Sequence, residues 1–199
     1  AQLTLDPMYP EPGQTVSILL DAYSIDTAGA SIIWYKDGEE IPKTRNSRKI
    51  SYTMGELGET VTIRASVHPA RTASFTLEKK ITPSVVDVIV EAYSYVPPFY
   101  RGRPLGIAQG PVRIIAIPND GTSRDPRAYI YEWKVNSGVM LGGAILGKNS
   151  IEYALPQYDG TILSVTVTDA GGKAVGKKTL SLLGVEPELY FYEAGCPAS

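Results

Sequence analysis

Apolar and polar side chains alternate with a period of two along most of this 199-residue chain, and no stretch longer than a turn or two keeps a helical period. In the first half, residues 15–22 put Val16, Ile18 and Leu20 on one face, residues 31–36 align Ile32 with Trp34, and 49–54 form another short run. Residues 60–67 set Val61, Ile63 and Ala65 against Thr62, Arg64 and Ser66, and 74–81 bring Phe75 and Leu77 to one side. The second half continues the pattern. Residues 86–91 set Val86, Val88 and Val90 against Asp87, Ile89 and Glu91, and 111–117 align Val112, Ile114 and Ala116. Residues 129–136 turn Tyr131, Trp133 and Val135 inward; 150–155 and 161–168 follow, the latter aligning Leu163, Val165 and Val167 ahead of a hairpin into 173–183. A strand patterned this way has one face to bury and must pack against a second layer. The expected fold is all-β.

The 19 Gly and 15 Pro residues supply turns, among them Asp37-Gly38 and Asp169-Ala170-Gly171-Gly172. Each half carries one Trp on its third main strand, and Trp34 and Trp133 stand 99 residues apart. Gly58-Glu59-Thr60-Val61 is echoed by Gly160-Thr161-Ile162-Leu163. A repeat near 100 residues matches one immunoglobulin-type sandwich with a Trp packed between its sheets. The chain therefore divides into two tandem immunoglobulin-like β-sandwiches, 1–82 and 83–185, followed by an extra segment, 186–199. In that segment Leu189-Tyr190-Phe191-Tyr192-Glu193-Ala194 looks like the opening strand of a third repeat, or a strand to be donated to a neighbour.

Charge is balanced at 19 Lys plus Arg against 21 Asp plus Glu, with no basic half, so neither nucleic acid nor an anionic membrane is an expected partner. The longest apolar run, near 138–146, is too short to span a bilayer. The chain opens Ala1-Gln2, as after signal-peptide removal, and export to the cell surface or beyond is expected. With Cys196 alone no intrachain disulfide can form, so the sandwiches depend on their cores.

Two local motifs carry a family resemblance. Trp34-Tyr35-Lys36-Asp37-Gly38 resembles the third strand of immunoglobulin-like domains. The run Val165-Thr166-Val167-Thr168-Asp169-Ala170-Gly171-Gly172 resembles the last hairpin of bacterial Ig-like modules of the PKD and Big type. Pro97-Pro98-Phe99-Tyr100-Arg101-Gly102-Arg103-Pro104-Leu105, Tyr131-Glu132-Trp133-Lys134-Val135, Leu146-Gly147-Lys148-Asn149 and Glu186-Pro187-Glu188-Leu189-Tyr190-Phe191-Tyr192-Glu193 resemble secreted multi-Ig proteins of Parcubacteria-type bacteria. The resemblance implies tandem sandwiches, no catalytic residues and continuation into a further sandwich; this sequence departs from it after Glu193.

Chemistry has few places to reside. His68 is the only imidazole, sits before Pro69 in a turn, and has no Gly-x-Ser-x-Gly elbow to serve. No Gly-rich phosphate loop opens a helix, and no cofactor is expected. Asp120, Asp125 and Asp169 could offer calcium hard oxygens from loops at one end of the second sandwich. They lack the D-x-D-x-D-G run of a dedicated loop, and turn formation is their expected role. The most unusual segment is 93–104, where Tyr95, Phe99, Tyr100, Arg101 and Arg103 concentrate the residue types favoured at interfaces. With Leu189, Tyr190, Phe191 and Tyr192 these are the expected contact residues.

Two functional readings stay open. One is a non-enzymatic structural protein of a bacterial surface, filament or array, self-associating or held by other surface proteins through strand exchange. The other is an adhesin or a carbohydrate- or protein-binding module that uses its loops.

Overall fold

Alternation becomes strands wherever a turn signal permits, and the computed structural model describes residues 1–22, 29–96, 101–140 and 142–186. The first sandwich holds β1 (Gln2–Asp6), β2 (Thr15–Asp21), β3 (Ser31–Lys36), β4 (Glu39–Glu40), β5 (Lys49–Thr53), β6 (Val61–His68) and β7 (Phe75–Ile81). The second holds β8 (Val85–Ala92), β9 (Pro111–Asn119), β10 (Tyr129–Val135), β11 (Gly138–Val139), β12 (Ile145–Leu146), β13 (Ser150–Ala154), β14 (Thr161–Asp169) and β15 (Ala174–Leu182). The described residues include no α-helix, only the short 3-10 turn Pro126–Ala128.

Sheet order repeats between the two. The first pairs β1-β2-β5 against β4-β3-β6-β7; the second pairs β8-β9-β13 against β11-β10-β14-β15, with β12 also on β10. All of these ladders are antiparallel. This is the immunoglobulin-like sandwich, with the short strand placed beside the third strand. The chain is thus two tandem Ig-like β-sandwiches.

Each sandwich has its own core. Val16, Ile18, Trp34, Ile63, Ala65 and Val67 centre the first; Ile114, Tyr131, Trp133, Leu163, Val165 and Val167 centre the second. Trp34 faces Ala65 across the β3–β6 ladder, and Trp133 faces Val165 across β10–β14. Each indole N–H reaches a carbonyl, that of Ser47 at 2.8 Å and that of Lys148 at 2.9 Å, so neither buried donor is stranded. The turn after the Trp strand repeats as well. Asp37 Oδ1 accepts from the Thr62 amide at 2.8 Å, and Asn136 Oδ1 accepts from the Ile162 amide at 2.9 Å.

Two details depart from the sequence pattern. The β6 and β14 strands correspond at an offset of 100, since both Trp-facing positions, Ala65 and Val165, fix it. The Gly58/Gly160 echo, offset by 102, is therefore not a structural equivalence. The inward row of β8 also fails at its end: Val86 is buried, Val88 half-buried and Val90 exposed. The reason is that β8 lies at a sheet edge, and the facing strand β15 packs closest near Gly176, whose Cα lies against Val86.

Candidate interaction surfaces

The two sandwiches meet over a short, buried connection. Thr82, Pro83 and Ser84 are all buried between β7 and β8. The Ser84 amide donates to Pro10 O of the first sandwich at 3.1 Å, while the Ser84 hydroxyl donates to Val175 O of the second. Gly58, in the turn before β6, donates its amide to Pro83 O at 3.1 Å and lies against Gly121 in the β9–β10 connection. Both glycines have positive φ, and a Cβ on Gly58 would fall 2.9 Å from Asp120 O. Replacing Gly58 by valine combines a left-handed backbone with that collision. The expected result is a loss of about 2 kcal/mol from the first sandwich. Small-angle scattering should show a broadened distance distribution between the sandwiches, and an unchanged profile would refute the contact.

A cleft of about 500 Å³ opens beside this junction, between the edge strands β1 and β7. Leu3, Leu5 and Ile81 form part of its wall, and Lys79, Lys80 and Lys173 border it. Lys79 reaches across to Leu3 O at 3.4 Å. No sequence motif signals this cleft, because it forms only where two separate edge strands and a hairpin of the other sandwich converge.

The three aspartates considered for calcium do sit near one end of the second sandwich, where Tyr129 pairs with Asp169. Each closes a turn. Asp120 is only 5% exposed, and its Oδ1 accepts from the Thr122 amide (2.9 Å) and hydroxyl (2.6 Å), the Tyr129 hydroxyl (2.8 Å) and the Ser123 amide (3.4 Å). Burial pushes its carboxyl pKa up, but the combined donors, led by Thr122, outweigh that and leave it lowered. Asp125 Oδ1 accepts from Arg127 N at 2.9 Å, and Asp169 Oδ1 from Lys173 N at 2.8 Å. Among the described residues no three His, Cys, Asp or Glu side chains gather as metal ligands.

His68 ends β6, exposed, with its two ring nitrogens 3.1 Å from the Ser66 hydroxyl and 2.9 Å from the Ser74 hydroxyl. No acidic partner orients it as a triad would require.

The segment at 93–104 belongs to the connection between β8 and β9, which runs from 93 to 110; the matching connection in the first sandwich runs only from 7 to 14. Tyr95 is 83% exposed, and Arg101 and Arg103 are exposed. Tyr93 donates to Glu152 at 3.3 Å, and Ser94 donates to Leu105 O at 2.8 Å. Phe99, Tyr100, Leu189, Tyr190, Phe191, Tyr192 and Cys196 lie outside the described residues. No helix among the described residues is long and apolar enough to cross a membrane.

No protein-family model matches the chain, and no curated protein sequence does. Solved structures similar to it are sandwich arrays. The fibronectin(III)-like modules of Clostridium thermocellum CbhA are 12% identical, over 96% of this chain and 100% of that one, with a TM-score of 0.34. Extracellular domains 3-5 of Drosophila OTK are 13% identical over 91% of this chain, with a TM-score of 0.39. The insect immune protein hemolin is 11% identical over 90% of this chain, with a TM-score of 0.33. This chain spans 60% of the OTK chain and 44% of hemolin.

Proposed function

We propose that this chain is a non-enzymatic, exported structural protein of a bacterial surface or filament, whose modules, 1–82 and 83–185, assemble by strand exchange through residues 186–199. The resemblance to secreted multi-Ig proteins of Parcubacteria-type bacteria supports the setting. The observation that carries the assembly mode is the open edge of β1, which pairs only with β2 and faces the cleft toward β7. An added strand would satisfy backbone groups along that edge. The lysines bordering the cleft suit the acidic 186–193 stretch, with Glu186, Glu188 and Glu193. Deleting 187–199 should leave single particles in electron micrographs where the full chain forms elongated assemblies. Assemblies that persist unchanged would sink strand exchange.

A second reading, a binding module, is favoured by exposed Tyr95 with Arg101 and Arg103 on the same connection. Such a module would be monomeric in solution and retained on a glycan or protein array, and Tyr95→Ala would reduce that retention. No retention on either array would remove this reading.

A further inference from the structure

The first sandwich supplies a worked example of what its distal end, the end where β7 exits, is for. There the Ser84 amide bonds Pro10 O, and the β1–β2 connection bonds the turn after β5 through Gly13 N to Gly55 O and Met54 N to Gln14 O. The second sandwich builds the same lattice at its own exit. Val185 N donates to Gly106 O at 2.9 Å, Gln109 N to Leu155 O at 3.0 Å and Leu155 N to Gly110 O at 3.0 Å. Val185 thus stands where Ser84 stands, Gly106 where Pro10 stands and Leu155 where Met54 stands.

What differs is the cover. In the first sandwich the exit residues are buried, because the second sandwich sits on them. In the second, the corresponding end is bare and apolar. Leu183 is 66% exposed, Tyr158 is 75% exposed in the turn matching that of Gly58, and Tyr95, Leu105 and Val185 are exposed beside them. These residues form one patch. Tyr158 hydroxyl is bonded by Gln157, Gln157 by Gln109, Ala108 N bonds Val185 O, and Leu105 O bonds Ser94. Exposed apolar clusters of this kind mark contact sites.

The geometry points to a head-to-tail contact between copies: the distal end of the second sandwich receives the first sandwich of a second copy of this chain, presenting the end with the β6–β7 hairpin. The occupant follows from the chain itself, since the module already seated on the equivalent end has the same strand order and meets it with the equivalent end, through its β14–β15 hairpin and β9–β10 connection. Such a contact is heterologous and propagates linearly unless it closes. The inference rests on the structural reading above and adds the surface that sets the polarity of assembly. It also places the Tyr- and Arg-rich connection 93–110 at the joint.

The test is sedimentation velocity on the full chain across a concentration series, with Tyr158→Asp/Leu183→Asp and with 187–199 deleted. Both substituted positions are solvent-facing, so thermal melting should match wild type. The wild type should show a growing linear series, and the double variant should weaken association by about tenfold or more. Oligomers that persist in the double variant but vanish on deletion refute this surface and leave strand exchange standing. Oligomers lost in the double variant but kept on deletion support this surface and refute strand exchange. A wild-type chain that stays monomeric throughout overturns both.

Discussion

Replacing Trp133 by alanine should unfold the second sandwich well before the first. Trp133 is 1% exposed at the centre of its core, and its indole N–H holds Lys148 O at 2.9 Å. Removing a buried Trp costs about 3–5 kcal/mol, because the facing strands cannot collapse into the space. That is a large share of the roughly 5–15 kcal/mol that stabilises an ordinary domain. For a module of this size it corresponds to a fall in melting temperature of about 15–30 °C. The remaining Trp34 lies in the separate first core, so its fluorescence in urea reports only the other sandwich. Its transition should move by about 1 kcal/mol at most, reflecting the small buried junction. Trp133→Phe retains most of the volume, loses only the bond to Lys148, and should fall between. If both sandwiches melted together in the alanine variant, the two cores would be one cooperative unit and the separation argued above would be wrong.

The same two tryptophans explain why so much of this fold is legible in sequence. Strands β2, β3, β9 and β14 alternate cleanly because one face of each meets a core and the other meets water. An aromatic residue that recurs near one module length then marks the middle of each core. Elements of two residues, β4, β11 and β12, carry no period and escape such a reading. Val90 escapes for a different reason: alternation says which side a residue takes, not whether the sheet opposite extends far enough to cover it.

The sites were less legible than the fold. A carboxylate in an Asn-Asp-Gly turn suits a cation or backbone amides equally well, and only the donors converging on Asp120 separate the two. Gly58 and Gly121 look like ordinary turn glycines until strand order sets them against each other. Segment 93–104 announced itself by composition. Its meaning as a joint, however, depends on knowing that Val185 pairs with Gly106 as Ser84 pairs with Pro10, which no local pattern contains.

Asp120→Ala should weaken the second sandwich by about 3 kcal/mol at neutral pH and loosen the junction with the first. The carboxylate is buried and takes charge-assisted bonds from Thr122 and Tyr129, each worth more than a neutral bond. The Tyr129 hydroxyl keeps a second acceptor, Ser123 O at 2.9 Å, which limits the cost. The folded pKa of Asp120 is lowered, so its contribution is fully present above the ordinary carboxylate value and disappears as pH falls through the lowered folded value. The stability gap between wild type and variant should therefore be constant near neutrality and close in acid. Because Asp120 O lies beside Gly58, a slackened turn also frees the neighbouring sandwich. Small-angle scattering of the variant should show a wider spread of separations between the sandwiches than wild type at the same pH. A gap that widens in acid would reverse the assigned sign. An unchanged scattering profile would show that the turn and the junction are independent, and that the glycine contact alone sets the angle between the modules.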